Sequence, residues 1–148
     1  MPLPAHIPLS DIGHTNYERV MGHAPHILKP WVELEEAFFQ RALLPQTLLE
    51  QVRRTLAQGH GCEYCQAKGG PPHTSRDDFR TSLAVGLAQI YSSDPKGIDE
   101  KMLQLLRAHF SDAEVVELIA YMGFMWAGGV FGKVMGIRPG SPRQARPE

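Results

Sequence analysis

Between Pro25 and Ala42, apolar residues recur at helical spacing: Ile27, Trp31, Leu34, Phe38 and Ala42, with Glu33, Glu36 and Gln40 between them. That pattern predicts an amphipathic helix with the polar three facing water. Pro30 is expected near its start, where a missing N–H does least harm. A second pattern, Leu48, Leu49, Val52 and Leu56, predicts a helix from about Pro45 to Gln58, broken by Gly59-His60-Gly61. A shorter helix over Asn16–Gly22 precedes these two. Another is expected to open at or just before Cys62 and to stop near Gly69-Gly70-Pro71-Pro72.

Ser75-Arg76-Asp77-Asp78 opens a further helix through Leu83, Leu87 and Ile90 to about Ser92. Asp94-Pro95-Lys96-Gly97 reads as a turn, and a helix follows over about Asp99–His109. Ser111-Asp112-Ala113-Glu114 has capping-box spacing. The helix it starts runs to about Met135 and is apolar nearly all round, so it is expected to be central or to lie in an interface. Gly128, Gly129 and Gly132 would let another helix approach it closely. No run alternates as a strand does, and no linker divides the chain. The expected fold is therefore all-α and single-domain: an extended Pro-rich arm over 1–14, a helical domain over 15–137 and a frayed tail over 138–148.

Composition narrows the classes. With 148 residues the chain can bury roughly 70% of the surface its unfolded form exposes, so its core needs no disulfide or metal. Fifteen basic and 16 acidic residues give a net charge of −1, without the basic footprint of a nucleic-acid binder. The uncharged run Leu118–Gly132 falls short of the roughly 20 residues needed to cross a bilayer, so no membrane partner is expected. The first residues lack a cationic end followed by an apolar run. The only two cysteines stand three apart, a pattern of redox or metal chemistry rather than of a secreted disulfide scaffold. Together these features point to the cytoplasm.

The chemistry-bearing residues are Cys62-Glu63-Tyr64-Cys65. Cysteines three apart on a helix share one face. At a helix start, unpaired backbone N–H groups and the dipole favour thiolate, lowering a cysteine pKa from near 8.5 to roughly 3.5–7.5. The neighbouring thiol can close a disulfide before an oxidised sulfur goes further. Two other readings stand beside this one. Cys62 and Cys65 with His60 and His73 have the ligand types of a zinc site. Alternatively, the two thiols are inert and buried. Tyr64 can donate to a thiolate or simply pack. Glu50 has Arg53 and Arg54 three and four residues on, the spacing of a helix-surface ion pair.

The run Leu48-Leu49-Glu50-Gln51-Val52-Arg53-Arg54, followed by Gly61-Cys62-Glu63-Tyr64-Cys65, resembles the carboxymuconolactone decarboxylase and AhpD-like alkylhydroperoxidase family. Glu50 stands twelve residues before Cys62, the spacing of the AhpD-like branch, and Phe110–Leu118 is similar to the start of that family's last long helix. The resemblance covers about Tyr17 to Ile137. It implies an AhpD-like helical bundle that assembles as a trimer or hexamer through its helices. It also implies thiol-dependent reduction of alkyl hydroperoxides or disulfides without cofactor or metal, with an external dithiol as reductant.

By the same resemblance Cys65 attacks peroxide, Cys62 resolves, and Glu50 is the general base, a role that calls for a pKa raised by burial. The helix-end argument instead favours Cys62 as the more acidic sulfur. One departure stands out: the family's histidine, four residues after the second cysteine, is Gly69 here, and His73 is the next histidine on. The alternatives are a lactone decarboxylase or isomerase like the family's namesake, a non-catalytic redox-sensing subunit, and a zinc-stabilised module.

Overall fold

The computed structural model describes residues 3–61 and 78–139. Among these the regular structure is entirely helical: α1 (Asn16–Met21), α2 (Pro25–Gln40), α3 (Gln46–His60), α4 (Phe79–Ser93), a 3-10 turn (Pro95–Gly97), α5 (Glu100–Arg107) and α6 (Asp112–Val134). The helix expected to open at Cys62 lies outside the described residues, as do all but the first two residues of the expected tail.

Helix starts follow the cap chemistry. Thr15 accepts from the Glu18 N–H (3.1 Å) and Asp99 from the Met102 N–H (3.0 Å). Asp78, the last residue of the run expected to open it, caps α4, accepting from the Arg80 and Thr81 amides. At α6 the capping box is complete: the Glu114 N–H donates to Ser111 Oγ (3.2 Å), and the Ser111 N–H donates to Glu114 Oε1 (2.9 Å). Each such pair satisfies amides that a helix start otherwise leaves open.

The core forms around α3, which packs on α4 and α6. Leu48, Leu49, Val52 and Leu56 are all at most 1% exposed, and they meet Ala84, Leu87 and Ala88 of α4 and Leu118, Tyr121 and Met122 of α6. On α2 the expected face is only partly correct. Phe38 is buried and packs edge-on to Tyr121 (5.2 Å between ring centres), but Leu28 is buried while Ile27 and Leu34 are 47% exposed. Spacing marks an apolar arc and not the part of it that meets a neighbour. Pro30 falls inside α2 rather than at its start, a position held by Pro25.

α6 runs 23 residues, with a mean hydropathy of 1.5 over its most apolar 18-residue window. By length and composition alone it would suit a membrane span, unlike the shorter uncharged run within it. In the bundle its Leu118, Tyr121, Met122, Gly129 and Gly132 are buried. Glu117 on α6 accepts from the Leu43 and Leu44 amides (2.9–3.0 Å) and so fixes the α2–α3 connection. Two of the glycines expected to let another helix approach, Gly128 and Gly129, serve the chain's own packing. A Cβ on Gly128 would touch Trp31 and Tyr17, and one on Gly129 would overlap the His60 ring.

The N-terminal arm is docked on the end of α6 and the residues that follow it. The His6 N–H donates to the Met135 carbonyl (2.8 Å), and the Arg138 N–H donates to the Pro4 carbonyl (2.9 Å). Ala5, Val20 and Ile137 close a second small core there.

Truncation of Leu56 to alanine removes contacts on both sides of α3 and is expected to cost roughly 2–5 kcal/mol in chemical denaturation. Ser111→Ala, which removes only one half of a cap, is expected to cost about 1 kcal/mol.

Candidate functional site: the arginine-bearing face of α3

Helical geometry puts residues three and four apart on one face. Glu50, Arg53, Arg54, Ala57 and His60 form such a face on α3, flanking the leucines that fix the helix in the core; Arg53 and Ala57 are themselves buried, and Glu50, Arg54 and His60 are half-buried. Arg53 forks onto Glu50: its Nε donates to Oε2 (2.9 Å) and its Nη2 to Oε1 (2.6 Å). The Arg54 Nε adds a third bond to Oε1 (3.0 Å). Arg53 is 8% exposed, while Glu50 keeps about a third of its side chain in solvent.

This arrangement corrects the expected electrostatics of Glu50. Burial pushes its pKa up, but the hydrogen bonds and charges of Arg53 and Arg54 outweigh burial and leave it below the ordinary carboxylate value. Of the two readings open for Glu50, the ion pair is the one the structure contains. A carboxylate that accepts three charge-assisted bonds is a poor proton acceptor.

His60 was expected in the break after α3. It belongs instead to the helix's last turn, and only Gly61, at φ +73°, ends the helix. That left-handed backbone is one glycine adopts without strain. The His60 ring stands edge-on to Trp126 (5.5 Å, 65°) and lies against Gly129, where a Cβ would come within 1.9 Å of Nε2. Burial, and then the charge of Arg53, lower the His60 pKa from its ordinary value. The imidazole is therefore neutral at neutral pH.

Arg53 and His60 line a cleft of about 80 Å³. Its walls include Tyr17, Trp31, Phe39 and Phe124, and Glu35 adds a carboxylate. The Tyr17 hydroxyl donates to the Gly128 carbonyl (2.7 Å), and Trp31 packs on Phe124 (4.7 Å between ring centres), so the walls are braced. The cleft is largely apolar, with a few polar groups at one side, the composition usual for small-molecule sites. Beneath it the Tyr121 hydroxyl is buried with no hydrogen-bond partner among the described residues. Burial raises its pKa; Arg53 opposes that shift, and Glu50 and Glu35 add to it.

Of the residues singled out by sequence, the structure thus joins Glu50 and His60 through Arg53. Cys62, Cys65, Tyr64 and His73 lie outside the described residues. Among the described residues no three His, Cys, Asp or Glu side chains converge as a metal site; three of the four residues of the zinc reading are not among them. Sequence reasoning missed Arg53 as the buried hinge of the site, Tyr121, and the aromatic walls. The signal for Arg53 was its i+3 spacing from Glu50; the others carried none.

No family model matches the chain, and no curated protein matches it. A solved structure does: the crystal structure of an uncharacterized peroxidase-related protein from Silicibacter sp. TM1040 superposes with a TM-score of 0.75. The superposition covers 88% of this chain and 79% of that one, at 14% identity. At that identity the likeness establishes the fold, an all-helical single domain of the kind the resemblance implied.

The close contact of His60 with Gly129 gives a direct test. Gly129→Ala is expected to displace the ring from its half-buried seat, so that its pKa, followed by NMR titration, rises toward the ordinary histidine value. The wild-type pKa is depressed, so the unfolded chain binds the His60 proton more readily. Its neutral form therefore contributes stability above pH about 6.5 that is lost as pH falls through the folded pKa. A shallower acid loss of stability in Gly129→Ala than in wild type is the expected companion result.

Proposed function

We propose that the chain is a thiol-dependent oxidoreductase that reduces peroxides, or alternatively disulfides, through Cys62 and Cys65. One observation carries this reading. α3 holds a half-buried histidine at the side of an aromatic-walled cleft and ends at Gly61, and the next residue in sequence is Cys62 of the dithiol. The fold shared with a protein described as peroxidase-related supports it.

In the proposed cycle the Cys65 thiolate attacks one peroxide oxygen. The O–O bond breaks, the alkoxide leaves as alcohol on taking a proton, and Cys65 becomes a sulfenic acid. Cys62 then attacks that sulfur, its own thiol proton leaves with the sulfenic hydroxyl as water, and a disulfide closes. An external dithiol returns both sulfurs to thiols by exchange. In this proposal His60 takes the thiol proton and returns it to the departing alkoxide, the work left vacant by Gly69. Its lowered pKa supports the role, because a base must be unprotonated to act. Glu50 works through Arg53: it holds the guanidinium in place and neutralises it beside the cleft.

A disulfide carrier or sensor without peroxide turnover is the second reading, favoured by Gly69 at the position of the family's histidine.

Stopped-flow oxidation by an organic hydroperoxide separates the readings. Wild type is expected to lose thiol well above the rate of free cysteine, with Cys62→Ser alone accumulating sulfenic acid. His60→Gln is expected to be slower by roughly 10²-fold or more, the usual contribution of a positioned acid–base group. If wild type and both cysteine variants react no faster than free cysteine, the peroxidase reading falls. If His60→Gln reacts as wild type does, the proton role of His60 falls while the dithiol chemistry stands.

A further inference from the structure

The helices that wall the cleft are not anchored alike. α3 is held by Leu48, Leu49, Val52 and Leu56, and α6 by Leu118, Tyr121 and Met122, all in the main core. α1 gives the cleft Tyr17 and Glu18, with its cap Thr15, yet it is only six residues long. A helix that short does not persist by itself and takes its position from what it packs on. Its Val20 is buried in the second small core, with Ala5 of the arm and Ile137, and not in the main one.

The arm fixes this helix. The Ser10 N–H donates to the Arg19 carbonyl (2.9 Å), and the Arg19 Nε donates back to the Ser10 carbonyl (2.8 Å). Just past the helix, His23 Nε2 donates to the Pro8 carbonyl (2.6 Å). Ile7 and Leu9 of the arm pack against the second core. Two glycines let the arm lie this close. A Cβ on Gly22 would come within 2.2 Å of the Ile12 carbonyl oxygen, and one on Gly136, at φ +61°, within 2.3 Å of the His6 ring.

α1 carries this anchorage into the cleft through Tyr17. The Tyr17 ring lies against Phe131 (5.4 Å between ring centres), and its hydroxyl bonds the Gly128 carbonyl beside Trp31. The cleft thus has two sides of different origin. Arg53 and His60 stand on α3, which the main core holds. Tyr17, part of the apolar wall, is held by the arm. Displacement of the arm therefore acts on the wall before it acts on the reactive side.

We propose that Tyr17, positioned by the arm, is a specificity-determining residue: it packs on the organic part of a hydroperoxide, so the docked arm sets how far the cleft favours a bulky apolar hydroperoxide over hydrogen peroxide. This rests on the peroxidase reading above. Hydrogen peroxide has no apolar part for the wall to hold, so its reaction is indifferent to the arm, whereas that of cumene hydroperoxide is not.

The test compares these two peroxides in stopped-flow oxidation of the reduced protein. Gly22→Ala and Gly136→Ala displace the arm at opposite ends. Each is expected to slow the reaction with cumene hydroperoxide roughly 10-fold, the scale of a lost apolar contact in a pocket, and to leave the hydrogen peroxide rate unchanged. Tyr17→Ala is expected to lower the ratio of the two rates at least as far. An unchanged ratio, or equal losses for both peroxides, overturns the proposal. Either glycine variant suffices if the other fails to fold, and Tyr17→Ala decides if both fail.

A second measurement needs no turnover. In a Cys62→Ser, Cys65→Ser background, cumyl alcohol, the product formed from cumene hydroperoxide, is expected to shift the Trp31 indole signal in an NMR titration. Adding Gly22→Ala, Gly136→Ala or Tyr17→Ala is expected to weaken that binding. If the wild-type thiols prove unreactive but this pattern holds, the peroxidase reading falls and the arm's control of the apolar wall stands. If the alcohol leaves Trp31 unmoved, or binds equally in every variant, the proposal falls whatever the thiols do.

Discussion

Everything else in the molecule is set by the burial of one face of α3. Leu48, Leu49, Val52 and Leu56 are sealed between α4 and α6, and each fully buried side chain of this kind contributes on the order of 1.5–3 kcal/mol. A helix fixed on one side has no rotational freedom left on the other. Three residues spaced three and four apart along it, Arg53, Ala57 and His60, are thereby aimed into a single cleft, with Glu50 one turn behind Arg53. The site's precision comes from the core behind it, as expected when functional groups sit on a packed helix rather than on a loop.

That placement also decides the electrostatics. Arg53 enters an almost buried position, and a buried guanidinium is costly unless it is paired. Glu50 supplies the pair in bidentate form, and Arg54 reinforces it. The same arginine then acts on His60, whose pKa its charge helps depress, and on the buried Tyr121 hydroxyl. A single ion pair thus couples the ionisation of the cleft's groups. The carboxylate that the resemblance cast as a general base is, in the fold, the counterion that lets an arginine sit inside, the pairing its spacing from Arg53 and Arg54 also offered.

The α3 leucine face, the capping box at α6 and the turn after α4 could be read from sequence because each follows from local chemistry: spacing, a side-chain oxygen, a proline. The extent of α3 could not. Gly59-His60 reads as a break, yet the helix continues through it because the Gly59 backbone sits directly against Ser92 of α4 and the His60 ring packs on Trp126. Likewise Ile27 and Leu28 are equally apolar in sequence, and only the placement of α2 in the bundle decides that Leu28 is buried. For Glu50 both opposing influences were visible, burial and the arginines three and four residues on. Their balance depends on distances that spacing does not supply.

The central claim is that the dithiol turns over. Its most direct test is to supply a small amount of the protein with excess organic hydroperoxide and an excess of small-molecule dithiol, and to count the alcohol produced. Many equivalents of alcohol per protein chain are expected, abolished by Cys65→Ser, with a Cys62–Cys65 disulfide as the form that accumulates when the reductant is withheld. Alcohol production that stops at one equivalent or less per chain, with the reductant still present, would contradict it.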